Sequence, residues 1–124
     1  MNNNLIVQYK ILFENKVFDW GMSNREIMKV VDTSNSSLTY FLNDWHRIPE
    51  IDESLLPDIE SALENPALEI DTGATVIDIM IQNNVVNFFD SEGFHSTMPL
   101  QDFKEIVIGW KEFLMSKPLP GRIK

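Results

Sequence analysis

The hydrophobic period of this chain changes at Pro99, and that change constrains the fold more than any other feature. Before it, Thr75-Val76-Ile77-Asp78-Ile79-Met80-Ile81, Val85-Val86-Asn87-Phe88-Phe89 and residues 94–98 are runs rich in β-branched and aromatic residues, the composition of strands. Asn83-Asn84 separates the first two runs, and asparagine tolerates the positive φ that a tight hairpin needs. Ser91-Glu92-Gly93 separates the second from the third. Turns this short join antiparallel neighbours, so the pattern predicts a meander. After Pro99, the residues Leu100, Phe103, Val107, Trp110 and Leu114 recur at intervals of three and four, with Ile106 and Phe113 widening the stripe. That is one long amphipathic helix, with Pro99 at or near its first position and Lys111 and Lys117 placed to suit the negative end of its dipole. The sheet is expected to pack one face on this helix. Its core would then hold Val76, Ile79, Ile81, Val86, Phe88, Phe103, Val107, Trp110 and Leu114.

Upstream the signals are shorter. Residues 5–13 carry a partial alternation of Val7, Tyr9, Ile11 and Phe13 and read as a strand, with residues 14–16 as a turn and residues 17–20 as a short return. Ser23-Asn24-Arg25-Glu26 has the form of a capping box, which predicts a short helix with Ile27, Val30 and Val31 on its apolar face. Leu38, Phe41, Leu42 and Trp45 fit a helix over 37–46, capped by Ser36 or Ser37 and leaving Tyr40 off the stripe; a strand remains the alternative there. Ile48-Pro49 is expected to end that element. Ser54 would cap a helix over 55–64, with Pro57 in its first turn and Asn65-Pro66 as its stop. Residues 68–71 are the first strand before the meander, divided from the next at Thr72-Gly73. Strands clustered together with helices before and after them indicate an α+β fold: an antiparallel meander packed against α-helices and closed by a long C-terminal helix. Residues 1–117 form a single domain, and residues 118–124, with two prolines and a glycine, form a tail.

The 124 residues carry 19 acidic against 10 basic side chains, a formal net charge of −9. Residues 1–47 balance five acids with five bases, and residues 104–124 hold five bases against two acids. Residues 48–103 contain twelve acids and no lysine or arginine. An acidic surface is an ordinary route to solubility. That route intersperses the two signs, whereas a one-signed block creates a field that steers a basic partner. The same acidity argues against nucleic acid as a ligand, because phosphate binding needs a basic patch. No apolar stretch approaches the ~20 residues of a membrane helix. Met1-Asn2-Asn3-Asn4 has no basic n-region, so no signal peptide, no membrane partner and a cytoplasmic location are expected.

Few residues point to catalysis. There are no cysteines, which removes disulfides, thiolate metal sites and thiol nucleophiles. His46 follows Trp45 at a helix end, where histidine contacts the last carbonyls. His95 and Ser96 are adjacent, which in a regular strand sends them to opposite faces and away from a triad. Asp90-Ser91-Glu92-Gly93 lacks the later ligands of a calcium loop and reads as a β-turn. The five glycines are too scattered for a phosphate-cradling loop. Paired carboxylates are available in number, yet nothing marks out one pair. No enzyme activity, cofactor or metal is therefore expected. Trp110 belongs to the core stripe, while Trp20 and Trp45 adjoin loops and are candidate interface anchors.

The strand pair around residues 75–89, the run Met98-Pro99-Leu100-Gln101-Asp102-Phe103 and the helix end Trp110-Lys111-Glu112-Phe113-Leu114 resemble the small, acidic, cysteine-free immunity proteins of bacterial polymorphic toxin and contact-dependent growth-inhibition systems. The resemblance covers about the C-terminal half and transfers no individual binding residue. It implies a stoichiometric inhibitor that binds a cognate toxin domain, often a basic nuclease, as a monomer or a 1:1 heterocomplex. The residues expected to meet that partner are Trp20, Trp45, Asp58, Glu60, Glu64, Glu69, Asp71, Asp90 and Glu92. The competing expectations are an acidic interaction module for some other basic protein, and a small enzyme that uses carboxylates of the acidic segment.

Overall fold

The computed structural model describes residues 2–19 and 25–116. The fold is α+β with two antiparallel sheets. A four-stranded meander, β3 (Ile70–Gly73), β4 (Asp78–Gln82), β5 (Val85–Asp90) and β6 (Gly93–Pro99), runs in sequence order. Asn83 and Asn84 form the β4–β5 turn at φ 55° and 63°, the left-handed pair that matches the twist of a two-residue hairpin. Helix α5 (Leu100–Met115) follows β6 without a linker, and Pro99 is its N-cap residue.

The expected core is nearly right on this side. Ile79, Ile81, Val86, Phe88, Phe103, Val107 and Trp110 are buried. Leu114 is only partly buried. Val76 is 60% exposed, while Ile77 next to it is buried at 3%. Neighbours at period 2 point to opposite sides, and Ile77 is in phase with Ile79 and Ile81. Burying one such side chain is worth about 2 kcal/mol, and the phase decides which neighbour receives it.

The N-terminal half departs further from expectation. Residues 5–9 are not a strand: helix α1 (Asn3–Tyr9) is capped by Asn2, whose Oδ1 accepts the Asn4 N–H at 2.8 Å, and it ends at Lys10 in the left-handed region. Its apparent alternation fails because Val7 is 77% exposed and Leu5 carries the burial. Strand β1 (Leu12–Asp19) passes straight through the expected turn at residues 14–16. It pairs along its whole length with β2 (Arg25–Asp32), which replaces the expected helix after Ser23. Val31 is buried and its cross-strand partner Phe13 is partly buried against the core, and this pairing with β1 outweighs the local capping motif. Ser23 and Asn24 lie outside the described residues.

Helix α2 (Ser36–Asp44) forms where expected, but its cap is Asn35, whose Oδ1 accepts the N–H groups of Ser37 at 3.0 Å and Leu38 at 3.3 Å. Pro49 starts an element instead of ending one. Helix α3 (Ile48–Glu50), a π-helical turn (Ile51–Leu55) and α4 (Leu56–Glu64) make one continuous rod, so Ser54 lies inside it and caps nothing. Pro57 has no amide to donate, and the widened turn before it lets the rod continue.

Helices α2, α4 and α5 cover one face of the meander, and Leu38, Phe41, Leu42, Ile51, Leu55 and Ile59 complete the core. The β1–β2 hairpin packs on the far side of α5 through Phe13, which stacks on Phe113 at 5.3 Å and lies 5.8 Å from Trp110. Among the described residues no helix is long and apolar enough to cross a membrane.

Candidate interaction face

The helices leave the second face of the meander open. Side chains alternate along each strand, so the partners of Met80 share its face: Asp71 on β3 and Asn87 on β5. Asp78 and Phe89 are paired on that side as well, and Phe89 meets Phe94 of β6 edge-to-face at 5.9 Å. Phe94 is 62% exposed. The apolar centre of this face is therefore Met80, Phe89 and Phe94.

An open groove of about 700 Å³ crosses it, walled by Met80 and Phe89 and rimmed by Glu69, Asp71 and Asp78. No lysine or arginine lines the groove. Asp71 and Asp78 are diagonal neighbours across β3 and β4, roughly 7–8 Å apart by strand geometry. The carboxylate of Asp78 lies over the Cα of Gly73, in space that any Cβ at position 73 would occupy. Glycine there lets the acid lie across the strand end.

The sequence-predicted residues divide among several places. Glu69 and Asp71 rim the groove. Asp58, Glu60 and Glu64 lie on α4, among the helices that cover the opposite face, and Glu60 pairs with Lys104 of α5 at 2.6 Å. Asp90 and Glu92 belong to the β5–β6 turn, where Asp90 Oδ1 accepts the Glu92 N–H at 2.8 Å. Trp45 is half-buried and stacks on Phe41 at 5.8 Å; its Nε1 donates to the Gly73 carbonyl at 3.2 Å, and its own carbonyl accepts from Trp110 Nε1 at 2.8 Å. These contacts make it a joint between α2, α5 and the start of the sheet. One side of it still lines a second open depression of about 530 Å³, with Asp44 and Glu50. Trp20 lies outside the described residues.

Residues 78, 80, 89 and 94 were not among the expected binding residues. Their signal was in the strand alternation, as the positions out of phase with the core. His95 was misplaced for a different reason. The β5–β6 register shifts between Phe88 and Phe89, so Ser96 faces Phe88, Phe94 faces Phe89, and His95 is the extra residue of a β-bulge. A bulge breaks the period of two. It brings His95 Nδ1 within 3.0 Å of Ser96 Oγ and 2.7 Å of Ser37 Oγ, while Ser36 Oγ is 3.5 Å from Nε2. Asn35 Nδ2 donates to Ser96 Oγ at 3.1 Å. Among the described residues no carboxylate hydrogen-bonds His95, and Ser37 is only 1% exposed. Chemically the cluster is a latch between β6 and the start of α2. His46 Nδ1 bonds the Asn43 carbonyl at 3.2 Å, the helix-end contact expected of it. Among the described residues no three acidic, histidine or cysteine side chains gather as a metal site.

No protein-family model matches the chain, no curated protein is similar to it in sequence, and no solved structure matches its fold.

Proposed function

We propose that this chain is an immunity protein, which binds a basic toxin domain of the nuclease class and neutralises it by occupying its nucleic-acid-binding surface. One observation carries the proposal: the uncovered sheet face joins an apolar centre of Met80, Phe89 and Phe94 to an acidic rim of Glu69, Asp71 and Asp78. Apolar anchors inside a charged rim are the usual anatomy of a specific interface. A nuclease is basic where it holds phosphates, so the rim supplies the complementary sign, speeds encounter and disfavours acidic partners. The resemblance of the C-terminal half to polymorphic-toxin immunity proteins agrees with this. On this proposal the protein acts in the cytoplasm, in a 1:1 complex, with no catalytic step of its own.

The test is a binding and protection assay with the product of the gene directly upstream. Equimolar protein should form a 1:1 complex by light scattering and abolish nucleic-acid degradation. Undiminished degradation in the presence of excess protein would reject the proposal. Binding to a basic protein that has no toxic activity would favour the general interaction module instead.

A further inference from the structure

We propose that the pocket between the start of α2 and the β5–β6 turn is a socket for one arginine side chain of the partner. The inference rests on the proposed function only for the source of that arginine.

The pocket encloses about 250 Å³, with Tyr40, Val76 and Ile77 as its apolar wall and Ser36, Asp90 and Ser91 as its polar groups. Sites for whole small molecules run to roughly 300–1,000 Å³, so this one has the size for a single long side chain. Its mouth is also unusual. Tyr40 and Val76 are 59% and 60% exposed, two large hydrophobes on the rim of one cavity that contribute nothing to the core. A desolvated aliphatic stem is the natural cover for them.

The polar end selects the head group. Asp90 is half-buried, and its Oδ1 is engaged by the Glu92 N–H, which fixes the carboxylate in the turn and leaves Oδ2 as an acceptor. The hydroxyls of Ser36 and Ser91 add acceptors at other points of the wall. Spread acceptors around one carboxylate suit the five fixed donors of a guanidinium better than the point charge of an ammonium. The Tyr40 ring at the rim adds a face for the planar cation. No basic residue lines the pocket. Arginine is among the residues that most often dominate such interfaces.

The test is an NMR titration of the labelled protein with three blocked peptides, Gly-Arg-Gly, Gly-Lys-Gly and Gly-Gln-Gly. The arginine peptide should shift the amides of Tyr40, Val76 and Ser91 with a roughly millimolar dissociation constant. The lysine peptide should bind severalfold more weakly, and the glutamine peptide should leave those amides in place. Asp90→Asn keeps the turn acceptor and should weaken the arginine peptide about tenfold. Val76→Arg, at an exposed position, should fill the socket from within and abolish the shifts. Equal shifts with the glutamine peptide, unchanged affinity in the Asp90 variant, or no shift with arginine would each overturn the proposal. The titration contains no toxin, so its failure leaves the immunity reading standing, and a failed protection assay leaves the socket standing.

Discussion

The Tyr9 hydroxyl donates to Asp102 Oδ2 at 2.8 Å and ties α1 to the first turn of α5. Burial, then the hydrogen bond and charge of Asp102, push the Tyr9 phenol up to about 12. The folded state therefore holds that proton more tightly than the unfolded chain, where tyrosine titrates near 10. The stabilisation is fully present below pH 10 and is lost as the pH rises from about 10 to 12. Water screens this partly exposed site, so the contribution is about 1 kcal/mol. Tyr9→Phe should lower the unfolding free energy by about 1 kcal/mol at pH 7, and urea titrations should show a shallower loss of stability from pH 9 to 12 than in the parent. A parallel loss in both proteins would remove Tyr9 from the alkaline transition. Neither the contact nor the shift is visible in local sequence, because the two residues meet only through the fold.

Helix α2 depends on Asn35 at both ends of its side chain. Oδ1 caps the helix, and Nδ2 holds Ser96 beside the His95 bulge. Asn35→Ala should cost about 1–2 kcal/mol in urea unfolding. Asn35→Asp, which keeps the cap acceptor and loses the donor, should cost less; equal losses would show that the Ser96 contact carries the effect. The elements also show what local pattern can specify. The Asn83-Asn84 turn and α5 were legible because a left-handed pair and a 3.6-residue stripe are properties of adjacent residues. Strand β2 was not, since Ile27, Val30 and Val31 suit either a helix face or a strand, and only pairing with β1 decides between them. The π turn before Pro57 and the bulge at His95 were hidden for the same reason: each answers a packing demand set by another element.

Across the whole molecule the fold divides the acidic segment between two faces. Glu60 and Asp52 pair with Lys104 and Lys111 of α5 on the helical side, whereas Glu69 and Asp71 face outward beside an apolar groove that no basic residue lines. Steering should follow the sheet face. Glu69→Lys with Asp71→Lys should slow toxin association roughly tenfold at low salt and flatten its salt dependence. Asp58→Lys with Glu64→Lys should change the rate less than about twofold. Stopped-flow rates that fall equally for both pairs would show that steering does not follow the sheet face. The sequence by itself determined the α+β class, the meander, the last helix and the one-signed charge of residues 48–103, because periodicity, turn chemistry and composition are local. Only the tertiary structure decided which acids stand beside half-buried Met80 and Phe89 and exposed Phe94, and which are engaged by lysines of α5. That choice depends on which sheet face the helices cover, and the burial of the whole core sets it.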